Sequence, residues 1–438
     1  MDNFVIEWLL HLPAYAKVGF AFAGILLMNR MGLSLGFSIL LSSAGLSLWS
    51  GTGIQGLAFQ LRSFGMPENY LLPAVILLLL FFTESLNKAG RMERTVTALK
   101  SWFSNKKMLL AGLPALVGLL PMPGGAIFSA PLVASVDGSG ELKAEQRVAV
   151  NYWFRHIWEY WWPLYPGVVL TIRYSELPMA LFLLIQIPFT LAAATGGYFF
   201  MLRKVKREDR PHRDGKPEPA ALLAALGPIA MLVFIAVLGS AVLPVTGLSG
   251  TVSNLLSMLA GLLVAIAAVF HGKASAWRPS LQLFKKTDTW QMVVLVIGIL
   301  AFSAVIKAPL DAAGTTLVTA MRDEFIHAGI PLIAIIVLIP FLSGLGTGIA
   351  IGFVSASLPV VFALLGPDPP MGIMAATAAF AFAMGFMGVM LSPIHVCFVV
   401  TSGYFKTQLF RNYRLIMGPI AVMLIASLML SGLYYTFL

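Results

Sequence analysis

Three ionisable residues stand within five positions of an otherwise apolar stretch: Arg155, His156 and Glu159, in Asn151-Tyr-Trp-Phe-Arg-His-Ile-Trp-Glu159. Charge at that density inside apolar sequence marks a site more often than a surface. Arginine offers a planar fork that fits a carboxylate or another oxyanion. Glu159 and His156 are titratable groups able to carry a coupling proton. Asn151 adds a polar contact one turn earlier. A blander reading stands beside this one. On a continuous helix Arg155 and Glu159 are four residues apart and share a face, so they would form a purely structural ion pair.

Helix breakers surround these residues. Leu120-Pro-Met-Pro-Gly-Gly-Ala126 puts two prolines, which lack an amide donor, beside two glycines, which allow close backbone approach. A helix leaving that turn aims its amides and its positive dipole end at the tip, where an anion is favoured. Pro123, Gly124 and Gly125 are the candidate contacts. Ser343-Gly-Leu-Gly-Thr-Gly348 is a similar cluster in the second half, with Gly346 and Thr347 as candidates. Ser392-Pro-Ile-His395 interrupts a later apolar run, as Trp162-Pro163 does an earlier one. Pro393 releases a carbonyl one turn back, Ser392 adds a hydroxyl, and released carbonyls coordinate cations. His395 joins the substrate candidates. A bare turn or a bare proline kink is the competing reading at each place.

Composition sets the frame for these motifs. Of 438 residues, 58% are hydrophobic and 11% charged, which excludes a soluble domain of this length. Apolar runs of about 20 residues predict helices that cross a bilayer, and none shows the period-two alternation of a membrane barrel. The single cysteine, Cys397, excludes an intramolecular disulfide and a metal site built from cysteines. No metal is expected beyond a possible sodium ion, and no other cofactor. The N-terminus has no basic segment and no small-residue cleavage site, so no cleaved signal peptide is expected. The net charge of +10 gathers in a few loops, as a topology signal does, and implies no nucleic acid. No phosphate-binding loop and no common hydrolase motif is present.

Ten spans are expected: 13–30, 33–50, 73–87, 148–171, 178–202, 220–243, 251–270, 290–306, 371–405 and 415–437. Two further apolar stretches, 108–135 and 331–365, carry Pro/Gly breaks in their middles and read as re-entrant hairpins. Loop charge supports that count. Residues 88–107 hold six Lys/Arg against one acid, and 203–216 hold seven against three. Basic loops belong in the cytoplasm, and ten spans with two hairpins put each of them there, with both termini external. The fold class is then an all-α polytopic membrane protein, with ten transmembrane helices and two re-entrant hairpins in inverted five-helix repeats. Phe128-Ser-Ala-Pro131 and Val354-Ser-Ala-Ser-Leu-Pro359 read as matching breaks in the two hairpins. Secondary transporters are commonly built this way, with the site where discontinuous helices meet near the midplane.

This organisation resembles the ion transporter superfamily, which includes divalent-anion/sodium symporters, citrate carriers and gluconate-type permeases. Locally, Pro121-Met-Pro-Gly-Gly, Asn151 to Glu159 and Leu391-Ser-Pro-Ile-His-Val-Cys look like an uncharacterised prokaryotic membrane family within that group. The resemblance implies an elevator mechanism and a homodimer. It implies scaffold segments at 1–107 and 220–329 and transport segments at 108–202 and 330–438, with 203–219 as a cytoplasmic basic linker. The dicarboxylate branch carries Ser-Asn-Thr at both hairpin tips. Here Met-Pro-Gly-Gly-Ala and Gly-Leu-Gly-Thr-Gly stand instead, so that ligand set is not carried over. Ser129, Thr347, Ser355 and Ser392 are the hydroxyls left for sodium.

The reading is a secondary active transporter of a small organic anion in the prokaryotic cytoplasmic membrane. Sodium is preferred for coupling, through Ser129, Ser355 and Ser392. Protons, through His156 and Glu159, are the other route. An antiporter or exporter of the same build is the alternative within transport. A membrane-embedded enzyme using His156, Glu159 and His395 is the alternative outside it.

Overall fold

The computed structural model describes residues 12–50, 53–91, 105–119, 125–138, 140–206 and 219–438. Among these the secondary structure is helical, apart from isolated bridge residues at Asn105 and at Pro309 with Thr316. The first group is α1 (Ala14–Arg30), α2 (Leu35–Trp49), α3 (Gly53–Ser63) and α4 (Pro67–Lys88). Then come α5 (Lys106–Gly118), α6 (Ala126–Asp137), α7 (Ala144–Arg155), α8 (Pro166–Ser175) and α9 (Met179–Gly197). The second half holds α10 (Pro219–Val242), α11 (Gly250–Gly272), α12 (Thr287–Ile306), α13 (Leu317–His327), α14 (Leu332–Thr347) and α15 (Ala350–Ala363). It ends with α16 (Met371–Leu391), α17 (Val396–Tyr404) and α18 (Leu409–Phe437).

Among the described residues, seven segments are long and apolar enough to cross a membrane: 67–88, 179–202, 226–246, 250–271, 287–306, 371–404 and 409–437. The protein is therefore membrane-like, and seven of the ten expected spans meet that measure. α1 and α2 are shorter, and the expected span 148–171 is divided between α7 and α8. The helix expected to start at Pro73 starts at Pro67. Proline at the first helical position sacrifices only an amide that has no helical partner anyway.

Two parts of the chain hold elements in a similar order. Two short helices pack on each other (α5 and α6; α14 and α15), an interrupted helix follows (α7 and α8; α16 and α17), and a long helix closes the set (α9; α18). The matching breaks expected inside the two hairpins are not found. Phe128–Pro131 and Val354–Pro359 break nothing, since α6 runs through Pro131 and α15 through Pro359. Helices in apolar surroundings tolerate proline when neighbours satisfy the released carbonyl. α5 ends at Gly118 and α6 begins at Ala126, while α14 is closed by Gly348, so the helix ends fall at the Pro/Gly clusters from which the turns were expected.

Close backbone approach, rather than a large apolar contact, joins α14 to α16. A Cβ on Gly344 would come within 2.0 Å of the Gly385 carbonyl oxygen, and one on Gly388 within 2.1 Å of the Phe341 carbonyl oxygen. Small residues at such crossings are the usual means of association where lipid competes for apolar side chains. Hydroxyls inside the helices turn back on their own backbone. Thr83, Ser257, Ser357 and Thr401 each donate to the carbonyl four residues earlier, which keeps them satisfied without water.

Candidate functional site

α7 ends at Arg155, and ten residues without regular helix separate it from α8. His156, with φ −103° and ψ 0°, closes α7, and Pro166 opens α8 at a position suited to proline. The sequence inside this break explains how it is held. Trp158 and Trp162 donate their indole N–H groups to the carbonyls of Ala115 (2.8 Å) and Leu119 (2.9 Å). The Tyr165 hydroxyl donates to the Gly118 carbonyl. These three acceptors are the last carbonyls of α5, which a helix end leaves without intrahelical donors. Trp158 and Trp162 therefore cap the first arm of the hairpin.

Arg155 lies beneath that hairpin and is 3% exposed. A Cβ on Gly118 would fall 1.9 Å from the Arg155 carbonyl oxygen, and one on Gly125 would fall 2.3 Å from its Nη2. Backbone contact requires glycine at 118, whereas a side chain at 125 would have to push the end of the Arg155 side chain aside. Gly125 is also the N-cap of α6, so the guanidinium and the positive end of that helix face the same space. On its other side Arg155 Nη1 lies 3.1 Å from Cys397 Sγ and 3.3 Å from His156 Nε2. The helix stops at Arg155, so Arg155 and Glu159 do not share a face of one continuous helix. Glu159 instead stands 3.7 Å from His156 Nε2.

The second break meets the first at this point. α16 ends at Leu391, Ser392 caps it, and α17 begins after His395. His395 Nε2 is 3.1 Å from His156 Nε2, and the two rings are nearly perpendicular. His156 Nδ1 is 2.5 Å from the Tyr152 carbonyl, an acceptor, so the ring carries its proton on Nδ1 and presents a lone pair at Nε2. Asn151 Nδ2 donates to Thr401 Oγ1 at 3.0 Å, and the Tyr152 hydroxyl to the Met390 carbonyl at 3.1 Å. Asn151 Oδ1 is buried and has no hydrogen-bond partner among the described residues.

The second hairpin reaches the same region through its turn. Gly348 has φ +66°, and a Cβ there would lie 3.0 Å from Ser392 Oγ and 3.2 Å from the His395 nitrogen. Ser392 Oγ donates to the Leu345 carbonyl at 2.8 Å. Thr347 donates to the Ser343 carbonyl at 2.7 Å. The first residues of α8 and α15 are also close, since a Cβ on Gly167 would lie 3.5 Å from Ala350. Helix starts from both halves therefore gather round one core.

The expected site residues divide into three groups. Gly125, Asn151, Arg155, His156, Glu159 and His395 belong to one connected cluster, with Thr347 and Ser392 at its edge. Gly346 faces Leu26 of α1 rather than the cluster, and Ser129 and Ser355 donate to their own helical carbonyls at Gly125 and Ile351. Pro123 and Gly124 lie outside the described residues. Cys397, Tyr152, Tyr165 and Thr401 enter the cluster without having been singled out. Their signal was present but weak: Cys397 and Thr401 follow the Ser392-Pro393 break within about two turns.

Salt bridges hold the base of the first hairpin. Asp137, at the end of α6, pairs with Arg147 of α7 at 2.6 Å and with Lys106 of α5 at 3.8 Å. Lys106 also reaches Glu141 at 3.0 Å. A larger cavity of about 590 Å³ lies elsewhere, lined by Tyr174, Lys307, Thr316, Phe362 and Asp368 among others.

A model of the family described as "Protein of unknown function (DUF401)" matches residues 18–434, and the chain belongs to that family. No curated protein matches the chain.

Proposed function

We propose that this member of the family is a secondary active transporter of a small organic anion, built on the plan of the ion transporter superfamily. One observation carries the reading. A buried arginine sits where a hairpin turn, two interrupted helices and the N-terminal end of α6 come together. Interrupted helices at membrane depth are tolerated where they surround a binding site. A fixed guanidinium beside a helix N-terminus favours an oxyanion.

On this reading α5–α6 and α14–α15 are re-entrant hairpins, entering from opposite sides. The transport domain is 108–202 with 330–438, and the scaffold is 1–107 with 220–329. Two copies associate through their scaffolds in the cytoplasmic membrane. The contiguous His156, Glu159 and His395 set supports proton coupling. Ser392 and Thr347, side by side with the second turn, support sodium.

The test is transport by the purified protein in liposomes. Carboxylates, sulfonates and phosphonates are first screened for thermal stabilisation, with and without sodium. A stabilising anion should then accumulate against its own gradient when a sodium or proton gradient is imposed. Stabilising anions that are chemically converted, with no dependence on any gradient, would replace the carrier by a membrane-embedded enzyme.

A further inference from the structure

The side chains of His156, His395 and Cys397 are buried, and their ligand atoms lie within 4.8 Å of one another. They come from the two breaks, 239 residues apart for the histidines, so no spacing motif in the sequence marks them. We propose that His156 Nε2, His395 Nε2 and Cys397 Sγ form a binding site for a soft transition-metal ion, copper(I) in the first place. This departs from the expectation of no metal beyond sodium. A single cysteine excludes a site made of cysteines; it does not exclude one in which a thiolate joins two imidazoles.

Geometry supports the assignment. Two nitrogens each bound at about 2.0 Å to one metal stand roughly 3.3 Å apart at a tetrahedral angle, and the two Nε2 atoms are 3.1 Å apart. The Nδ1–H of His156 on the Tyr152 carbonyl is the outer contact that fixes a metal-binding imidazole with its lone pair inward. His395 Nδ1 faces the Gly348 backbone without meeting hydrogen-bond geometry among the described residues. Its ring can therefore take the tautomer that bares Nε2.

Charge selects the ion. Arg155 contributes one positive charge, the Cys397 thiolate one negative charge, and the Glu159 carboxylate, when ionised, a second. A monovalent cation brings the buried set to neutrality with Glu159 ionised, whereas a divalent one leaves an excess positive charge in either state. Thiolate with imidazole suits copper(I), while sodium takes oxygen ligands. Arg155 Nη1 now makes two of the contacts that the metal would make, with Cys397 and with His156. Metal entry therefore displaces that nitrogen, and the guanidinium moves toward Gly125, where its Nη2 already lies. As the sulfur–copper bond forms, the thiol proton leaves to solvent.

The experiment titrates copper(I) into the full chain in detergent against a chromophoric copper(I) chelator. X-ray absorption at the copper edge is recorded on the same samples. One tightly held equivalent is expected, with one sulfur and two nitrogen neighbours. Cys397→Ser and His395→Gln should each weaken binding at least a hundredfold. Binding by folded wild-type protein no tighter than by detergent alone would overturn the proposal. So would an all-sulfur shell, which the 21 methionines would produce adventitiously. The wild-type measurements stand whether or not either variant folds, and transport plays no part in them.

Discussion

Arg155 Nη1 lies 3.1 Å from Cys397 Sγ, which joins the break of the first half to the break of the second across 242 residues. The other terminal nitrogen of the same guanidinium rests against Gly125. One planar group thus spans three segments, a geometry that a lysine ammonium cannot reproduce. For the proposed anion carrier, Arg155→Lys should lower anion affinity by at least about tenfold, the loss of one charge-assisted hydrogen bond. Anion-dependent thermal stabilisation measures this directly. Unchanged stabilisation in that variant would remove Arg155 from the site.

Coupling separates through two other variants. If sodium drives transport, Ser392→Ala should raise the half-saturating sodium concentration roughly fivefold, for a lost ligand worth about 1 kcal/mol. Glu159→Gln should then leave the sodium dependence intact. If protons drive it, uptake in sodium-free buffer should follow an imposed pH gradient, and Glu159→Gln should abolish that response. Flux measured in liposomes under the two gradients decides between them.

Asp137 predicts a stability effect at a distance from Arg155. Its carboxylate is buried and holds Arg147 and Lys106, so Asp137→Asn removes the counter-charge of half-buried Arg147 and leaves buried Lys106 with Glu141. Breaking such a pair costs about 3 kcal/mol, toward the lower end of the range because Arg147 is partly exposed. The melting midpoint in detergent should fall by several degrees. Arg147→Met should fall less, since Lys106 still compensates the carboxylate.

Much of this was readable from residues alone, and the limits have physical causes. Pro393 and Pro163 mark two real interruptions, because proline removes a donor wherever it falls. Pro131 and Pro359 mark none, because a helix among apolar neighbours absorbs the same loss. Arg155, His156 and His395 stood out as rare polar groups. Their partners did not. Contact between His156 and His395 depends on how two breaks cross, which no local pattern encodes. The role of Trp158 and Trp162 is hidden for the same reason. An indole at an apolar surface and an indole capping a distant helix have the same sequence signature.

Topology is tested by accessibility from either side. Lys143, before α7, and Ala328, after α13, are both exposed and belong to opposite sides on the loop-charge reading. A membrane-impermeant thiol reagent applied from outside should modify Ala328→Cys and spare Lys143→Cys until the cytoplasmic side is opened. Buried Cys397 supplies little background. Outside labelling of both positions would require another span count.

The capping of α5 by Trp158, Trp162 and Tyr165 also sets the unit in which this protein can be rearranged. The first arm of the hairpin ends on donors that lie 43 to 47 residues downstream, beyond α6 and α7. A hairpin exchanged alone between relatives would arrive with three buried carbonyls facing foreign side chains. The smallest block that carries its own donors runs from residue 105 to residue 175. Chimeras should be cut at those ends, and an insertion between α7 and α8 should register as a defect in the hairpin it never touches.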